Sequence, residues 1–139
     1  MRPLVCSLLC MYIPLLIITF LKQMYNLFLL LCILILVGYK HHTKVYKDDK
    51  YHTSDKILCR VLILYTCILN IFKYKNRLYW ICLLIVIMCY WGTFYCDYQE
   101  DCKRNWENIG EQIPHMTMHI AAGIGITSMI MFNEQKAIE

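Results

Sequence analysis

The sequence predicts an all-α membrane protein, a polytopic bundle of about five membrane-spanning helices. Of its 139 residues, 59% are hydrophobic, whereas soluble globular domains average about 45–50%. The apolar residues also form long runs that contain no Asp, Glu, Lys or Arg, and a membrane helix needs about 20 such residues. We therefore predict a single membrane domain over residues 1–139, with spans at approximately 4–21, 24–40, 56–72, 78–96 and 113–132.

Four of the five spans each rest on one uninterrupted apolar run. These runs are Pro3–Leu21, Gln23–Tyr39, Leu78–Cys96 and Gln112–Asn133. The third span is less regular, because Arg60 precedes the shorter run Val61–Phe72. Long basic side chains near helix ends usually extend to the membrane surface, so we expect Arg60 to do the same.

The distribution of Lys and Arg orients the bundle. With five spans, the N-terminus shares one side with the polar segments 40–56 and 97–112. That side carries eight Lys and Arg residues in these segments, whereas the other side carries five. Cytoplasmic loops are enriched in Lys and Arg, so the excess predicts a cytoplasmic N-terminus.

All histidines are predicted to lie at one face of the membrane. They occur at the end of span 2, just before span 3 and at the start of span 5: His41, His42, His52, His115 and His119. An even number of spans separates these three places. The imidazoles therefore meet at the side that also carries the N-terminus.

The stretch "PHMTMHIAAGIG" contains a candidate metal-binding pair, His115 and His119. Residues four apart project from the same face of a helix, so two imidazole nitrogens can reach one ion. Catalytic zinc takes three protein ligands and leaves one position for water. Either His42 or His41 would supply the third ligand, and Asp55 would hold or deprotonate the water. The small residues of "AAGIG" are expected to let this helix pack closely against its neighbours.

The same residues also have a purely structural interpretation. Histidines near a membrane surface often extend toward water without binding an ion. Asp55 could serve as an acidic residue in the first helical turn, with Ser54 as the capping residue. Under this interpretation the protein is a small non-enzymatic membrane protein with a structural or partner-binding role.

The order of these residues resembles the CREST superfamily, which comprises alkaline ceramidases, progestin and adiponectin receptors and hemolysin III-like proteins. Members are seven-span bundles with Ser-x-x-x-His late in the second span, Asp early in the third and His-x-x-x-His in the last. The resemblance implies a shortened relative that is a zinc-dependent hydrolase of a lipid amide or ester. It assigns zinc to His42, His115 and His119, and assigns the positioning of the water to Asp55.

The chain departs from the family pattern in three ways. Gly38 stands four residues before His42, where the family has Ser. The spacing between the His of span 2 and the Asp of span 3 is short, and two spans are absent. The resemblance therefore covers scattered positions over residues 37–122, and a compact relative of this kind could keep zinc and lose catalysis.

Other functional classes have less support. The sequence contains neither G-x-S-x-G nor a P-loop, the motifs of many serine hydrolases and of ATP-driven proteins. A transporter should carry polar residues through the middle of the membrane, and spans 1, 2 and 4 carry almost none. The formal charge of +4 lies mostly in loops. We therefore expect membrane lipids as partners, and no nucleic acid.

The predicted topology places the polar segments 40–56 and 97–112 on the same side of the membrane. Two single-cysteine variants test this topology: one retains only Cys102, and the other has Lys44→Cys in a chain without other cysteines. We expect a membrane-impermeant maleimide to label both variants from the same side of sealed vesicles. A cysteine at Lys75 should be labelled from the other side. Labelling of the first two variants from opposite sides would exclude the predicted topology.

Overall fold

The computed structural model describes residues 2–43, 49–98 and 109–132, which are helical apart from short turns. The all-α fold class is confirmed, and no strand occurs among these residues. The helices are, in chain order, α1 Pro3–Leu21, α2 Tyr25–Thr43, α3 Asp49–Leu69, α4 Arg77–Tyr98 and α5 Ile109–Met131. A π-helical turn, Asn70–Tyr74, continues α3.

Three helices are long and apolar enough to cross a membrane: α1, α2 and the continuous segment Lys50–Tyr74. Within the described part of α4, the segment Arg77–Gly92 is apolar but shorter than these three helices. Large apolar side chains are also exposed on the outside of the bundle, among them Ile17, Leu36, Leu64, Met88 and Trp91. Soluble proteins rarely expose contiguous apolar surface of this extent. The exterior therefore suits a lipid environment.

The helices continue beyond the ends of the apolar runs. The second predicted span ends at residue 40 and the third begins at 56, whereas α2 extends to Thr43 and α3 begins at Asp49. Hydropathy marks where apolar side chains end, but a helix continues for as long as its backbone hydrogen bonds do. As a result His41, His42 and His52 lie on helices, which gives their side chains fixed directions.

The main helix contacts form a row in the order α3, α2, α1, α5, α4. The helix α1 therefore lies between α2 and α5, the two helices that carry four of the five histidines. The principal core draws on every helix of this row, with buried side chains that include Leu8, Leu15, Leu27, Leu31, Leu62, Tyr79 and Met129.

The helices α1 and α5 run parallel in one register. Ser7 lies against His119, and one turn further along both helices Met11 lies against Gly123. A Cβ atom added at Gly123 would lie 2.8 Å from Met11 Cε and 3.1 Å from Met11 Cβ. The absence of a side chain at Gly123 therefore allows this close approach, as expected for the small residues of "AAGIG".

A second glycine sets the contact between α5 and α4. A Cβ atom at Gly125 would lie 2.8 Å from the Cβ of Cys82. Because that atom is attached directly to the α4 backbone, it cannot turn away as the end of a long side chain can. Both neighbours of α5 thus approach it at a glycine, which keeps the helix that carries His115 and His119 in a fixed place.

The end of the bundle opposite the histidines is closed by asparagine side chains. The Asn76 side-chain oxygen accepts a hydrogen bond of 3.1 Å from the backbone N–H of Tyr79 and so caps the start of α4. The Asn76 amide also donates to the carbonyl oxygen of Ser128 on α5, at 2.9 Å. Buried Asn70 exchanges two hydrogen bonds with the Asn76 backbone. The polar groups at this end therefore satisfy one another.

The Gly123 contact can be tested by comparing Gly123→Ala with Gly92→Ala. Both changes gain about 1 kcal/mol of intrinsic helix propensity. At Gly92 the added methyl group meets Pro114 at an ordinary 3.6 Å, whereas at Gly123 it collides with Met11. Overpacking of this kind costs about 1–3 kcal/mol, so Gly123→Ala should be the less stable variant by about that amount. Unfolding by SDS in detergent micelles measures the difference, and equal stabilities would contradict the close packing.

Candidate metal centre

The three histidines predicted to bind zinc lie together at one end of the bundle. His42 is in the last turn of α2, and His115 and His119 follow each other by one turn on α5. One ring nitrogen from each can be chosen so that all three lie within 4.8 Å of one another. The three side chains are buried. We call this group the histidine triad.

The rings face one another edge to face. The ring centroids of His42 and His115 are 4.8 Å apart, as are those of His115 and His119. The rings of His42 and His119 are 5.4 Å apart at an angle of 63°. These ring contacts, with one nitrogen of each ring within 4.8 Å of the others, are compatible with a shared ion.

The triad fits zinc after a small inward movement. Zinc binds imidazole nitrogen at about 2.0–2.1 Å, so two nitrogens in a tetrahedral site are about 3.3 Å apart. The nitrogens of the triad are separated by up to 4.8 Å, and binding would require side-chain rotations that close the longest gap by about 1.5 Å. Imidazole donors suit zinc, copper, iron and nickel. The geometry therefore supports a metal site without selecting the metal.

Two residues of α1 contact His119, and no motif of the sequence predicted a role for either of them. The Ser7 Oγ atom lies 3.0 Å from His119 Nδ1. The Tyr12 ring lies edge-on to the His119 ring, with a centroid separation of 6.0 Å. Polar side chains inside an apolar span are the signal that could have found both residues. Their partner on α5, however, depends on which helix packs against α1.

The other two histidines extend the cluster away from the triad. His41 is buried, and its ring lies 4.9 Å from that of His42. Its Nε2 atom lies 3.1 Å from Nδ1 of His52, which is half-buried on α3. All five histidines thus form one continuous cluster. Among the described residues, the group close enough to share an ion contains His42 and leaves out His41.

Asp55 is buried on α3 and is absent from the group of described residues that could share the ion. Its Oδ1 atom lies 3.3 Å from the position that a Cβ atom of Gly38 would take. Gly38 precedes His42 by one turn, about 6 Å along the axis of α2. The predicted catalytic residue is therefore a neighbour of the residues that surround the triad.

Gly38, which stands where the resembling family has a serine, is closely surrounded by side chains. A Cβ atom there would lie 3.2 Å from Leu8 Cδ2, in addition to its contact with Asp55. Both distances are shorter than ordinary van der Waals contacts of a Cβ atom. A serine side chain at this position would therefore require Leu8 or the Asp55 carboxylate to move by a few tenths of an ångström.

No protein-family model, no curated protein and no solved structure matches this chain.

Proposed function

We propose that this protein is a multi-pass integral membrane protein with a cytoplasmic N-terminus, and that it binds zinc through the histidine triad. We propose further that it hydrolyses a lipid amide or ester. The observation that carries the proposal is the placing of three buried imidazoles, from two different helices, within 4.8 Å of one another. Membrane lipids are then both its surroundings and the source of its substrate.

The energetics of burial support a metal ion. Transferring a polar group into apolar surroundings costs free energy unless it is compensated. Ionisable side chains inside membrane helices are accordingly rare, and they usually mark functional sites. This chain is 59% hydrophobic, yet it gathers three imidazoles in one place. A bound cation is the most direct compensation for such a group.

The position of the triad supports a lipid substrate. His42 is the second-last residue of α2, and His115 lies six residues into α5. If these helices cross the membrane, the triad lies near one surface, close to the boundary between hydrocarbon and headgroups. The ester and amide carbonyl groups of membrane lipids lie at this boundary. In this proposal the carbonyl carbons therefore lie at the same depth in the bilayer as the triad.

The proposed reaction is the addition of water to a lipid carbonyl. Zinc with three protein ligands supplies a Lewis acid and an activated water at neutral pH. The water oxygen bonds to the carbonyl carbon, and the bond from that carbon to the amide nitrogen or ester oxygen breaks. In this proposal the Asp55 carboxylate accepts a proton from the water and returns it to the leaving group. The products are a fatty acid and an amine or alcohol.

A non-enzymatic role is the alternative, and two observations favour it. Asp55 lies outside the triad, and a glycine, Gly38, stands where the resembling family has its serine. In this alternative the protein is a small structural or partner-binding membrane protein, and its histidines take no part in catalysis. The two proposals differ in whether the triad must hold zinc and in whether a lipid is turned over.

The metal is tested by the zinc content of the detergent-purified protein. We expect about one zinc per chain for the wild type. The double variant His115→Ala/His119→Ala should lose it, because one imidazole cannot retain the ion. His52→Ala is the matched control, since it removes a histidine of the same cluster from outside the triad, and it should keep its zinc. Wild-type protein that folds fully and takes up no zinc would overturn the proposed function.

Catalysis is tested by Asp55→Asn. The variant keeps the shape of the side chain but cannot accept the proton, so turnover should fall by about 10²–10⁴-fold while zinc content stays unchanged. The measurement is fatty acid release from N-acyl and O-acyl lipids in mixed micelles. Equal rates for Asp55→Asn and the wild type would remove Asp55 from the reaction. Zinc-loaded wild type that releases no fatty acid from either lipid class would favour the non-enzymatic alternative.

A further inference from the structure

We infer that Ser7 is a positioning residue, whose hydroxyl group fixes His119 in the tautomer that offers Nε2 to the ion. The helix α1 thereby has a role that neither the histidine spacing nor the family resemblance predicts. The effect of Ser7 on metal affinity rests on the proposed metal site, whereas the tautomer of His119 can be measured without any metal.

The two hydrogen-bond partners of the Ser7 hydroxyl group determine which nitrogen of His119 carries its proton. Its Oγ atom lies 2.9 Å from the carbonyl oxygen of Leu4 and 3.0 Å from Nδ1 of His119. A carbonyl oxygen can only accept, and a hydroxyl group has a single hydrogen to donate. With that hydrogen directed at Leu4, the Oγ atom acts as acceptor for His119. The Nδ1 atom must then carry the proton.

This tautomer is the one that a metal ligand at Nε2 requires. In neutral imidazole one nitrogen carries the hydrogen and the other has the free lone pair. With the proton on Nδ1, the lone pair of His119 is on Nε2 and can bind the ion. The opposite tautomer would place a hydrogen on Nε2. Hydrogen bonds that orient a ligating histidine typically change metal affinity by 10–100-fold.

Helix packing fixes the place of the Ser7 hydroxyl group. Ser7 and His119 belong to the same parallel register of α1 and α5 that brings Met11 onto Gly123. The Tyr12 ring contacts the His119 ring from the same helix, so α1 controls both the tilt of the ring and the partner of its Nδ1 atom. Ser7 therefore reaches the site from a packed helix.

Ser128 provides a matched control within the same chain. Its hydroxyl group also donates to the carbonyl oxygen three residues earlier, Gly125, at 2.8 Å. Ser128 lies on α5 near the opposite end of the bundle. A serine-to-alanine change there removes the same kind of local hydrogen bond without touching the triad, so it separates a general structural effect from an effect on His119.

The first experiment compares zinc affinities by competition with a chelator for Ser7→Ala, Ser7→Thr and Ser128→Ala. We expect Ser7→Ala to bind zinc about 10–100-fold more weakly than the wild type. Threonine keeps the hydroxyl group and its bond to the preceding turn, so Ser7→Thr should stay within about threefold of the wild type. Ser128→Ala should be unchanged. Equal affinities for Ser7→Ala and the wild type would overturn the inference.

The second experiment reads the tautomer directly, by nitrogen NMR of metal-free protein labelled at histidine, with His119→Gln used to assign the signals. We expect the wild type and Ser7→Thr to carry the His119 proton on Nδ1. A proton on Nε2 in the wild type would overturn the inference, even if Ser7→Ala did not fold. A proton on Nδ1 in wild-type protein that takes up no zinc would support the Ser7 contact and overturn the proposed function.

Discussion

The candidate site depends on the close parallel packing of α1 against α5 at Gly123. Because the position lacks a side chain, Met11 lies directly on the α5 backbone, and the same register brings Ser7 onto His119 one turn earlier. On its other side α1 packs against α2, the helix that carries His42. A wider separation of α1 and α5 would change the distance between the ligands of the triad, although α1 itself contributes only orienting contacts to His119.

The polar groups of this chain are divided between the two ends of an apolar bundle. At one end the side chains of Asn70 and Asn76 satisfy the backbone and one another around the turn before α4. At the other end five histidines and buried Asp55 lie close together. Hydrogen bonds between neutral amides and backbone complete the first group, whereas the triad of the second has the donor type that suits a metal ion and nitrogens within 4.8 Å of one another. This contrast supports interpreting the histidine end as functional and the asparagine end as structural.

Sequence patterns predicted those parts of the site that depend on local geometry. The four-residue spacing of His115 and His119 is a helical property, and counting spans was enough to predict that His42 would meet them at one face. The sequence could not distinguish His42 from His41, because neighbouring residues on a helix project about 100° apart and packing decides which one faces α5. It gave no indication of the contacts of Ser7 and Tyr12 with His119, since the pairing of the first helix with the last is a tertiary property. The helices α2 and α3 also continue beyond the predicted spans, because hydropathy follows side chains and not backbone hydrogen bonds.

The departure at Gly38 changes how the resemblance to the CREST pattern should be interpreted. A Cβ atom at that position would lie 3.2 Å from Leu8 Cδ2 and 3.3 Å from Asp55 Oδ1, so a serine there would require one of these side chains to shift by a few tenths of an ångström. A hydroxyl group still reaches the histidines, but it comes from Ser7 on α1 and engages a ring nitrogen of His119. In our proposal that hydroxyl group orients His119 toward the ion, and it takes no part in the reaction with the substrate. Of the resembling pattern, this chain therefore has the three buried histidines within 4.8 Å of one another, and the proposed hydrolysis depends on Asp55.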